Sequence, residues 1–323
     1  MTVKEITELV NEGINSLPYD RKPQSLYEPI IYTMSQGGKR IRPVLTLLSY
    51  YMFRDDIRQA LPCAMGLEMY HNYTLLHDDL MDNADMRRGN MTVHKKWDAN
   101  TAILSGDSML VLSYQLMSQC PQEMLQQVID TFTITALEIG EGQQYDMDFE
   151  KRTDVTEEEY IEMIRLKTSV LLACAAKIGA ILAGASSEEQ NHAYRFGEQL
   201  GLAFQLQDDF LDVYGDEKVF GKKIGGDITS NKKTYMLIKA LERAEGIDKQ
   251  QLEYWIEAQE FDRSEKVNAV TEIYTRLGID TLAKERIDKY FTSALNHLDA
   301  ISAPAERKAE LLSFVQQMMR RER

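Results

Sequence analysis

Apolar residues with helical spacing dominate the chain. The most apolar segments cover residues 44–53, 63–81, 101–117, 157–184 and 192–215. Alternating strand patterns bounded by turns are scarce, and only seven prolines interrupt the sequence. Several segments are apolar around most of the helix circumference, which is typical of helices buried centrally in a fold. The pattern therefore predicts an all-α protein.

Short polar breaks separate these segments. They fall at residues 35–38, 87–90, 184–187 and 215–233, and none is a long polar linker. No internal repeat of solenoid length is visible. A chain of 323 residues is long enough for a large core. The sequence therefore predicts a single domain over residues 1–323.

The net charge of the chain limits the kinds of ligand that it is expected to bind. The net charge of −14 argues against a nucleic-acid surface, which is normally basic. An anionic ligand would need local lysines, arginines or a metal. The three cysteines are odd in number and form no CxxC pair, which fits a reducing, cytoplasmic compartment. No run of about 18 apolar residues occurs, so no membrane span is expected.

The pattern D-D-x-x-D occurs twice. Its acidic positions are Asp78, Asp79, Asp82, Asp208, Asp209 and Asp212. Residues four apart lie on the same side of a helix, so like charges there repel by roughly 0.2–0.5 kcal/mol per pair. Mg²⁺ relieves such repulsion, because it is usually bound by one or two carboxylates together with substrate phosphates. The repeated motif predicts two helices that carry metal ligands on facing sides of a cleft.

A solvated acidic surface is the alternative explanation for either copy. It fits poorly, because LLH precedes the first copy and LAFQLQ the second, so both interrupt apolar helices. Acids near the ends of buried helices need partners. Asp85 follows Asp78 by seven residues and shares its helical stripe, but the sequence assigns it no role.

Basic residues cluster at the breaks between helices. GGKRIRP places Lys39, Arg40 and Arg42 after a Gly-Gly break at a helix start, where backbone N–H groups favour an anion. Arg87 and Arg88 follow the first acidic motif, and the guanidinium group suits bidentate phosphate contact. In an acidic protein these clusters indicate a substrate with diphosphate groups.

Further lysines occur later in the chain. Lys167 lies inside an apolar helix, where it is either a phosphate ligand or a snorkelling side chain. GKKIGGD (221–227) and NKK (231–233) form a loop rich in glycine and lysine just after the second acidic motif. Glycines allow such a loop to move, so it is predicted to be a lid over a phosphate site.

The order of these motifs resembles one known family. GGKRIRP, DDLMDNADMRRG, the KT of LKTSV, GQQYD, FQLQDDFLD and GKKIGGD follow one another over most of the chain. In order and spacing they are similar to the trans-isoprenyl diphosphate synthases, or polyprenyl synthetases, of the short-chain farnesyl and geranylgeranyl diphosphate synthase type. DDxxD followed after four residues by RRG is specific for that family, and the second DDxxD makes the match nearly diagnostic.

The resemblance implies a fold and a reaction. The fold is the all-α isoprenoid synthase fold, a helical bundle around a large central cavity, usually as a homodimer. The reaction is the Mg²⁺-dependent head-to-tail condensation of isopentenyl diphosphate with an allylic diphosphate, either dimethylallyl, geranyl or farnesyl, with release of diphosphate. Three Mg²⁺ ions per active site are implied. The partners are thus small diphosphates, with no nucleic acid.

The resemblance also implies roles for individual residues. The metal ligands are Asp78, Asp79, Asp82, Asp208, Asp209 and Asp212. The allylic diphosphate is bound by Arg87, Lys167 and Lys232, together with Lys222 or Lys223, since GKKIGGD leaves the choice between those two open. Isopentenyl diphosphate is bound by Lys39, Arg42, His71 and Arg88. The catalytic positions are Lys167, Thr168 and Gln205, of which Thr168 and Gln205 lie near the developing cation.

Chain length is expected to depend on the helix before the first acidic motif. A helix rises about 1.5 Å per residue, so side chains four and five positions before Asp78 lie about 6–8 Å deeper. These are Thr74 and Tyr73, of which Tyr73 is large enough to act as a floor. Tyr70 adds a stop one turn further. The expected product is a C15 or C20 prenyl diphosphate.

Three other functions are compatible with parts of the sequence. A class I terpene cyclase also uses DDxxD and Mg²⁺, but usually lacks a second DDxxD and needs no isopentenyl site. A non-catalytic partner subunit of a heteromeric prenyl synthase typically loses aspartates from one motif, whereas all six are present here. A di-iron helix bundle would use E-x-x-H, which occurs at Glu68/His71 and Glu189/His192.

Overall fold

The computed structural model describes residues 1–216 and 224–319. It confirms the all-α prediction, because the sheet found in those residues is a single two-stranded hairpin. None of the helices in the described ranges is both long and apolar enough to cross a membrane.

The first half of the chain contains seven α-helices and the hairpin. They are α1 (Val3–Asn15), α2 (Gln24–Ser35), α3 (Ile41–Tyr51), a 3-10 turn (Ile57–Gln59), α4 (Leu61–Met81), β1 (Met86–Arg87), β2 (Asn90–Met91), α5 (Val93–Lys96), α6 (Ala99–Met117) and α7 (Leu125–Glu150).

In the described residues, the second half contains helices joined by turns and no strand. It contains α8 (Glu157–Ile164), a π-helical segment (Arg165–Ser169), α9 (Val170–Leu182), α10 (Ser187–Tyr214), α11 (Gly226–Thr229), α12 (Tyr235–Arg243), α13 (Gly246–Glu257), α14 (Arg263–Arg276), α15 (Ile279–Ala300) and α16 (Ala305–Met319).

Contacts within the chain cluster into two compact units. Unit 1 comprises Met1–Thr133, Cys174–Tyr194 and Ser302–Leu311, and unit 2 comprises Ile134–Ala173, Arg195–Ile301 and Leu312–Arg323. The chain passes from one unit to the other inside α7, α9, α10 and α16. The first acidic motif belongs to unit 1 and the second to unit 2.

Helix α4 forms the centre of unit 1. It packs against α3 and α6 and buries Leu67, Met69 and Leu76. The helix ends at the first acidic motif, where Asn83 adopts a left-handed conformation and the Ala84 N–H donates to the Asp79 carbonyl at 2.9 Å. Asparagine tolerates this conformation, which is common just after a helix end.

Helix α10 forms the core of unit 2 with several neighbours. Leu206 and Phe210 of α10 lie in one cluster with Tyr160 of α8, Leu237 of α12 and Ile273 of α14. A capping box starts α8, because the side chains of Thr156 and Glu159 each bond the other's backbone N–H. The second acidic motif lies on a helix fixed by this core.

Candidate functional site

The first acidic motif lies at the C-terminal end of α4. Asp79 is buried, and Arg87 holds it through three contacts: Nε donates to Oδ1 at 2.9 Å and to Oδ2 at 3.1 Å, and Nη2 donates to Oδ1 at 2.6 Å. Asp82 is exposed and is the C-cap residue that follows α4, while Asp78 lies one turn earlier and is half-buried. The structure therefore brings the first motif and Arg87 together.

Asp85 does not share the helical stripe of this motif. Helix α4 ends at Met81, so the prediction that Asp85 lies on the same helix face as Asp78 is wrong. The Asp85 side chain is 81% exposed and forms an ion pair with Lys95 at 3.1 Å. Its backbone carbonyl accepts from the Thr92 N–H at 3.0 Å, so Asp85 belongs to the base of the β1–β2 hairpin.

A group of cations lies beside the Gly-Gly turn in unit 1. Burial lowers the pKa of Arg42 to about 10, with Glu68 opposing this shift and Arg88 adding to it. The Arg42 Nε is buried and, among the described residues, has no hydrogen-bond partner. Arg88 Nη1 donates to the Gly37 carbonyl at 2.5 Å, next to the turn that carries Lys39. These cations form a cradle for an anion.

His71 lies in the same neighbourhood. Burial lowers its pKa well below the usual value, and nearby arginines, led by Arg42 and Arg88, lower it further. Both effects penalise the imidazolium form. His71 is therefore neutral at physiological pH and contributes hydrogen bonding rather than charge. Three of the four residues assigned to isopentenyl diphosphate by resemblance, Arg42, His71 and Arg88, therefore interact with one another, and Lys39 follows the Gly-Gly turn beside them.

Aromatic side chains line α4 before the first motif. The ring of Tyr73 lies 5.4 Å from that of Tyr70 and 4.8 Å from that of His77, and Tyr70 meets Phe132 at 5.2 Å. Tyr70 is buried. The Thr74 hydroxyl donates back to the His71 carbonyl at 2.8 Å. The bulk along this side of the helix therefore comes from the tyrosines.

The second acidic motif has different partners. The Tyr160 hydroxyl donates to Oδ2 of Asp209, and the Gln205 amide donates to Oδ1 at 3.0 Å. Burial raises the pKa of Asp209 to about 6, against the opposing charge of Lys232. The Thr168 hydroxyl donates to the side-chain oxygen Oε1 of Gln205 at 3.0 Å. Two of the predicted catalytic residues are thus connected to the second motif.

Asp212 and Lys232 are brought together through α11. The Asp212 carboxylate accepts from the Asp227 N–H at 2.8 Å, and the Asp227 carbonyl accepts from the Lys232 N–H at 2.9 Å. Burial lowers the pKa of Lys232, but the charges of Asp227, Asp209 and further carboxylates outweigh it and raise the pKa above its usual value. Lys232 therefore carries its positive charge within an acidic cluster.

Lys167 lies in the π-helical segment that follows α8. Its Nζ forms an ion pair with Asp146 of α7 at 2.6 Å. A side chain at Gly142 would place its Cβ 2.4 Å from the Lys167 backbone N, so glycine is required for this close approach. Single π turns within helices often mark functional sites. The Lys167 ammonium group pairs with a carboxylate inside unit 2. Its position therefore differs from that of a snorkelling lysine, whose charge lies in solvent.

Three residues of this site were not among the predicted ones. They are Asp146, Tyr160 and Asp227. The GQQYD motif contains Asp146, but only the structure shows that it faces Lys167. Lys222 and Lys223 lie outside the described residues.

The acids suit Mg²⁺ only in part. Carboxylate oxygens are the hard ligands that Mg²⁺ prefers, and both motifs supply them. Nowhere in the described parts of the chain do three His, Cys, Asp or Glu side chains converge as a metal-binding group. Asp79 and Asp209 are both held by protein donors. The arrangement fits an ion that is bound by one or two carboxylates and completed by water and a phosphate.

The E-x-x-H pairs serve other purposes. Glu68 forms a buried ion pair with Arg40 at 2.7 Å. Glu189 caps the start of α10, where it accepts from the Ser186 N–H at 2.9 Å. Both glutamates are thus engaged by protein donors, which leaves the di-iron alternative without support in the described residues.

Known proteins resemble the whole chain. The Polyprenyl synthetase family profile matches residues 23–274. A geranylgeranyl diphosphate synthase of Methanosarcina mazei is 41% identical over 248 residues, which are 76% of each chain. A geranylfarnesyl diphosphate synthase of Natronomonas pharaonis is 35% identical over 97% of this chain and 94% of its own. A crystal structure of a geranylgeranyl pyrophosphate synthase covers 100% of both chains at 42% identity, with a TM-score of 0.95. The chain belongs to the polyprenyl synthetase family, as its motifs predicted.

Proposed function

We propose that the chain condenses isopentenyl diphosphate head-to-tail with allylic diphosphates and releases diphosphate. The family is Mg²⁺-dependent, and the relatives from Methanosarcina mazei and Natronomonas pharaonis are named as prenyl diphosphate synthases. The observation that carries the proposal is that two different kinds of anion site occur in the described residues. Each unit has a DDxxD motif with a cation beside it, and unit 1 also has an arginine cradle at the Gly-Gly turn that contains no motif acid.

The allylic diphosphate is assigned to the acidic motifs. Asp78, Asp79 and Asp82 in unit 1 and Asp208, Asp209 and Asp212 in unit 2 are the proposed Mg²⁺ ligands. These carboxylates would hold Mg²⁺, which would supply electrostatic stabilisation of the charge that develops on the leaving diphosphate. Three ions per active site are proposed. The contacts of Arg87 with Asp79 and of Lys232 with the second acidic cluster support these cations as additional diphosphate ligands.

Isopentenyl diphosphate is assigned to the arginine cradle. The buried, unpartnered Nε of Arg42 supports this, because such a donor gains most from an anion. Arg88, Lys39 and neutral His71 supply the remaining contacts. No metal is needed here, since the cradle is already positive. Lys167, whose ion pair with Asp146 fixes it in unit 2, is assigned to the allylic diphosphate.

The reaction breaks the C1–O bond of the allylic diphosphate. The electron pair leaves with the diphosphate, and Arg87, Lys167 and Lys232 stabilise the charge that develops on its oxygens. C4 of isopentenyl diphosphate attacks the allylic C1, and the proton lost from C2 passes to the departing diphosphate. Thr168 and Gln205 present oxygen dipoles near the allylic cation. No side-chain nucleophile takes part.

A C20 product is proposed within the predicted C15–C20 range. Tyr73 and Tyr70 form an aromatic wall of two tilted rings on the helix that precedes the first motif. Such a wall sets a floor for the growing tail. The name of the Methanosarcina relative favours geranylgeranyl diphosphate.

The assembly and location are proposals as well. A homodimer is supported by apolar side chains that α6 leaves exposed, namely Leu104 at 59% and Val111 at 68%. A single domain over residues 1–323 is supported by the family profile, which runs without a break through residues of both units. The cytoplasmic location stays a prediction from cysteine usage.

A product assay tests the proposal. Purified protein is incubated with Mg²⁺ and C5, C10 or C15 allylic diphosphates, with and without isopentenyl diphosphate, and the products are sized by chromatography. The expected result is prenyl diphosphate formation only when both substrates are present. Product from an allylic diphosphate alone would identify a terpene cyclase, and no product from any combination would indicate a non-catalytic subunit.

A further inference from the structure

A buried ion pair lies under the Gly-Gly turn of unit 1. Arg40 Nη1 donates to Glu68 Oε1 at 2.7 Å, and the two side chains are only 4% and 2% exposed. The other guanidinium nitrogens of Arg40 donate to the Asn11 side chain and to the Met34 carbonyl, each at 3.1 Å. Arg40 thus ties α1, α2 and α4 to the turn that carries Lys39.

The same carboxylate is connected to Arg88. The Asn72 amide donates to the Glu68 carbonyl at 2.8 Å and to its Oε1 at 3.3 Å. The Asn72 side-chain oxygen in turn accepts from Arg88 Nη1 at 3.4 Å, and the same Nη1 donates to the Gly37 carbonyl. A continuous set of contacts therefore runs from Arg40 through Glu68 and Asn72 to Arg88.

The turn leaves little freedom around Arg88. Gly38 has φ +136°, and a Cβ there would lie 3.0–3.1 Å from the Arg88 guanidinium. Arg40 and Arg88 both adopt left-handed backbone conformations, with φ of 50° and 51°. Non-glycine residues hold such conformations only where their surroundings impose them. These contacts impose one geometry on both sides of Lys39.

Stability alone explains the ion pair poorly. A buried ion pair seldom stabilises a fold more than well-packed apolar residues of the same size, because desolvation opposes the attraction. Glu68 also offsets repulsion within the cradle, since its charge favours the protonated forms of Arg42 and Arg88. A pair that fixes position and balances charge suits a preorganised anion site.

We propose that Arg40 and Glu68 are positioning residues for isopentenyl diphosphate: Glu68 fixes Arg40 directly and Arg88 through Asn72, so that the cradle is formed before the anion arrives. The inference rests on the proposed function and deepens it. Neither residue touches the substrate. Their effect is confined to one of the two substrates, because these contacts lie in the cradle and do not include any residue of the acidic motifs.

The test compares kinetic constants for the two substrates. Glu68→Gln and Arg40→Met are each expected to raise KM for isopentenyl diphosphate about tenfold or more, while KM for the allylic diphosphate and kcat at saturation change less than about threefold. Lys239→Met is the matched control. It removes a largely buried ion pair with Glu157 in unit 2, and it leaves KM for isopentenyl diphosphate unchanged.

The double variant Arg40→Met/Glu68→Met separates position from stability. It is expected to regain thermal stability relative to the single variants while KM for isopentenyl diphosphate stays high. Recovery of both together would show a purely structural pair and overturn the inference. An equal rise in KM for both substrates would do the same.

Asn72→Ala is a second test of the inference, which applies if the charge variants do not fold. It removes the connection to Arg88 and keeps the ion pair, and the same selective rise in KM is expected. An unchanged KM for isopentenyl diphosphate would overturn the inference. Wild-type protein is assayed in the same series, so failure of the proposed function appears as no wild-type turnover, and failure of this inference appears only in the variants.

Discussion

The two DDxxD motifs have the same spacing but different surroundings. In the first, the buried Asp79 is held by the guanidinium of Arg87. In the second, the buried Asp209 is held by the neutral Tyr160 and Gln205, and burial raises its pKa to about 6. An arginine is the hydrogen-bond partner of one carboxylate, whereas two neutral side chains are the partners of the other. Identical sequence patterns therefore need not have identical surroundings.

The helices that carry the motifs also differ in bulk. Tyr73 lies five positions before Asp78, whereas the buried Ala203 lies five positions before Asp208. Only the first helix presents an aromatic side chain at that position. The first motif thus follows an aromatic side chain that is a candidate for limiting product length. The second motif is connected through Gln205 to the candidate catalytic residue Thr168.

Removing one motif charge is the strongest way to test whether both motifs act. Asp82→Asn and Asp212→Asn are each expected to reduce kcat/KM for the allylic diphosphate by at least about 100-fold, since each removes a ligand that supports charge on the leaving group. Asp85→Asn is the matched control, because Asp85 is an exposed acid outside the motif. Steady-state kinetics are the measurement. A large loss in only one motif would show that the other is structural.

The difference in bulk predicts a change in product size. Tyr73→Ala removes the first part of the aromatic wall, so the product is expected to lengthen by at least one C5 unit. Thr74→Ala serves as control, since its hydroxyl only returns to the His71 carbonyl. Chromatography of the products decides. An unchanged product profile for Tyr73→Ala would exclude Tyr73 as the floor.

The neutral partners of the second motif can be weakened without a change in charge. Tyr160→Phe deletes the hydroxyl that donates to Asp209 and is expected to lower the free energy of unfolding by about 1–3 kcal/mol, because a buried carboxylate loses a donor. It should also raise the Mg²⁺ concentration needed for half-maximal rate. Tyr235→Phe is the control for loss of a tyrosine hydroxyl in unit 2. Equal behaviour of both variants would contradict this account.

The smallest expected effect concerns the cation cradle. It is a change in how the free energy of unfolding depends on pH. Because the pKa of His71 is lowered in the folded chain, the unfolded chain binds a proton near pH 6.5 that the folded chain does not bind. The free energy of unfolding should therefore fall as pH drops from 8 to 5, and less so in His71→Gln. His192→Gln is the control for loss of a histidine. Chemical denaturation at both pH values measures the difference, and identical pH dependence in wild type and His71→Gln would be inconsistent with a buried neutral His71.

The sequence was sufficient for the fold class and the motifs. Helical periodicity and the scarcity of strand patterns predicted the long helices, and the repeated DDxxD led to the family. It could not predict contacts between distant residues. Lys167 and Asp146 are 21 positions apart, and Tyr160 and Asp209 are 49 apart, so only packing brings them together.

The sequence also did not predict local backbone geometry and some side-chain contacts. Periodicity placed Asp85 on the helix of the first motif, but the left-handed Asn83 ends that helix and turns the chain into the hairpin. Glu68 resembled a metal ligand in E-x-x-H until its contact with Arg40 was visible. The position of Asp85 depends on a backbone conformation, and the role of Glu68 depends on a side-chain contact. The residue pattern specifies neither.

Both motifs are expected to bind Mg²⁺ tightly only together with a diphosphate. The direct test is calorimetric titration of Mg²⁺ into the protein, with and without a non-reactive thio analogue of an allylic diphosphate. We expect weak binding alone and tight binding of several ions with the analogue, lost in both Asp82→Asn and Asp212→Asn. Tight binding without the analogue, or none with it, would show that the motifs do not act in this way.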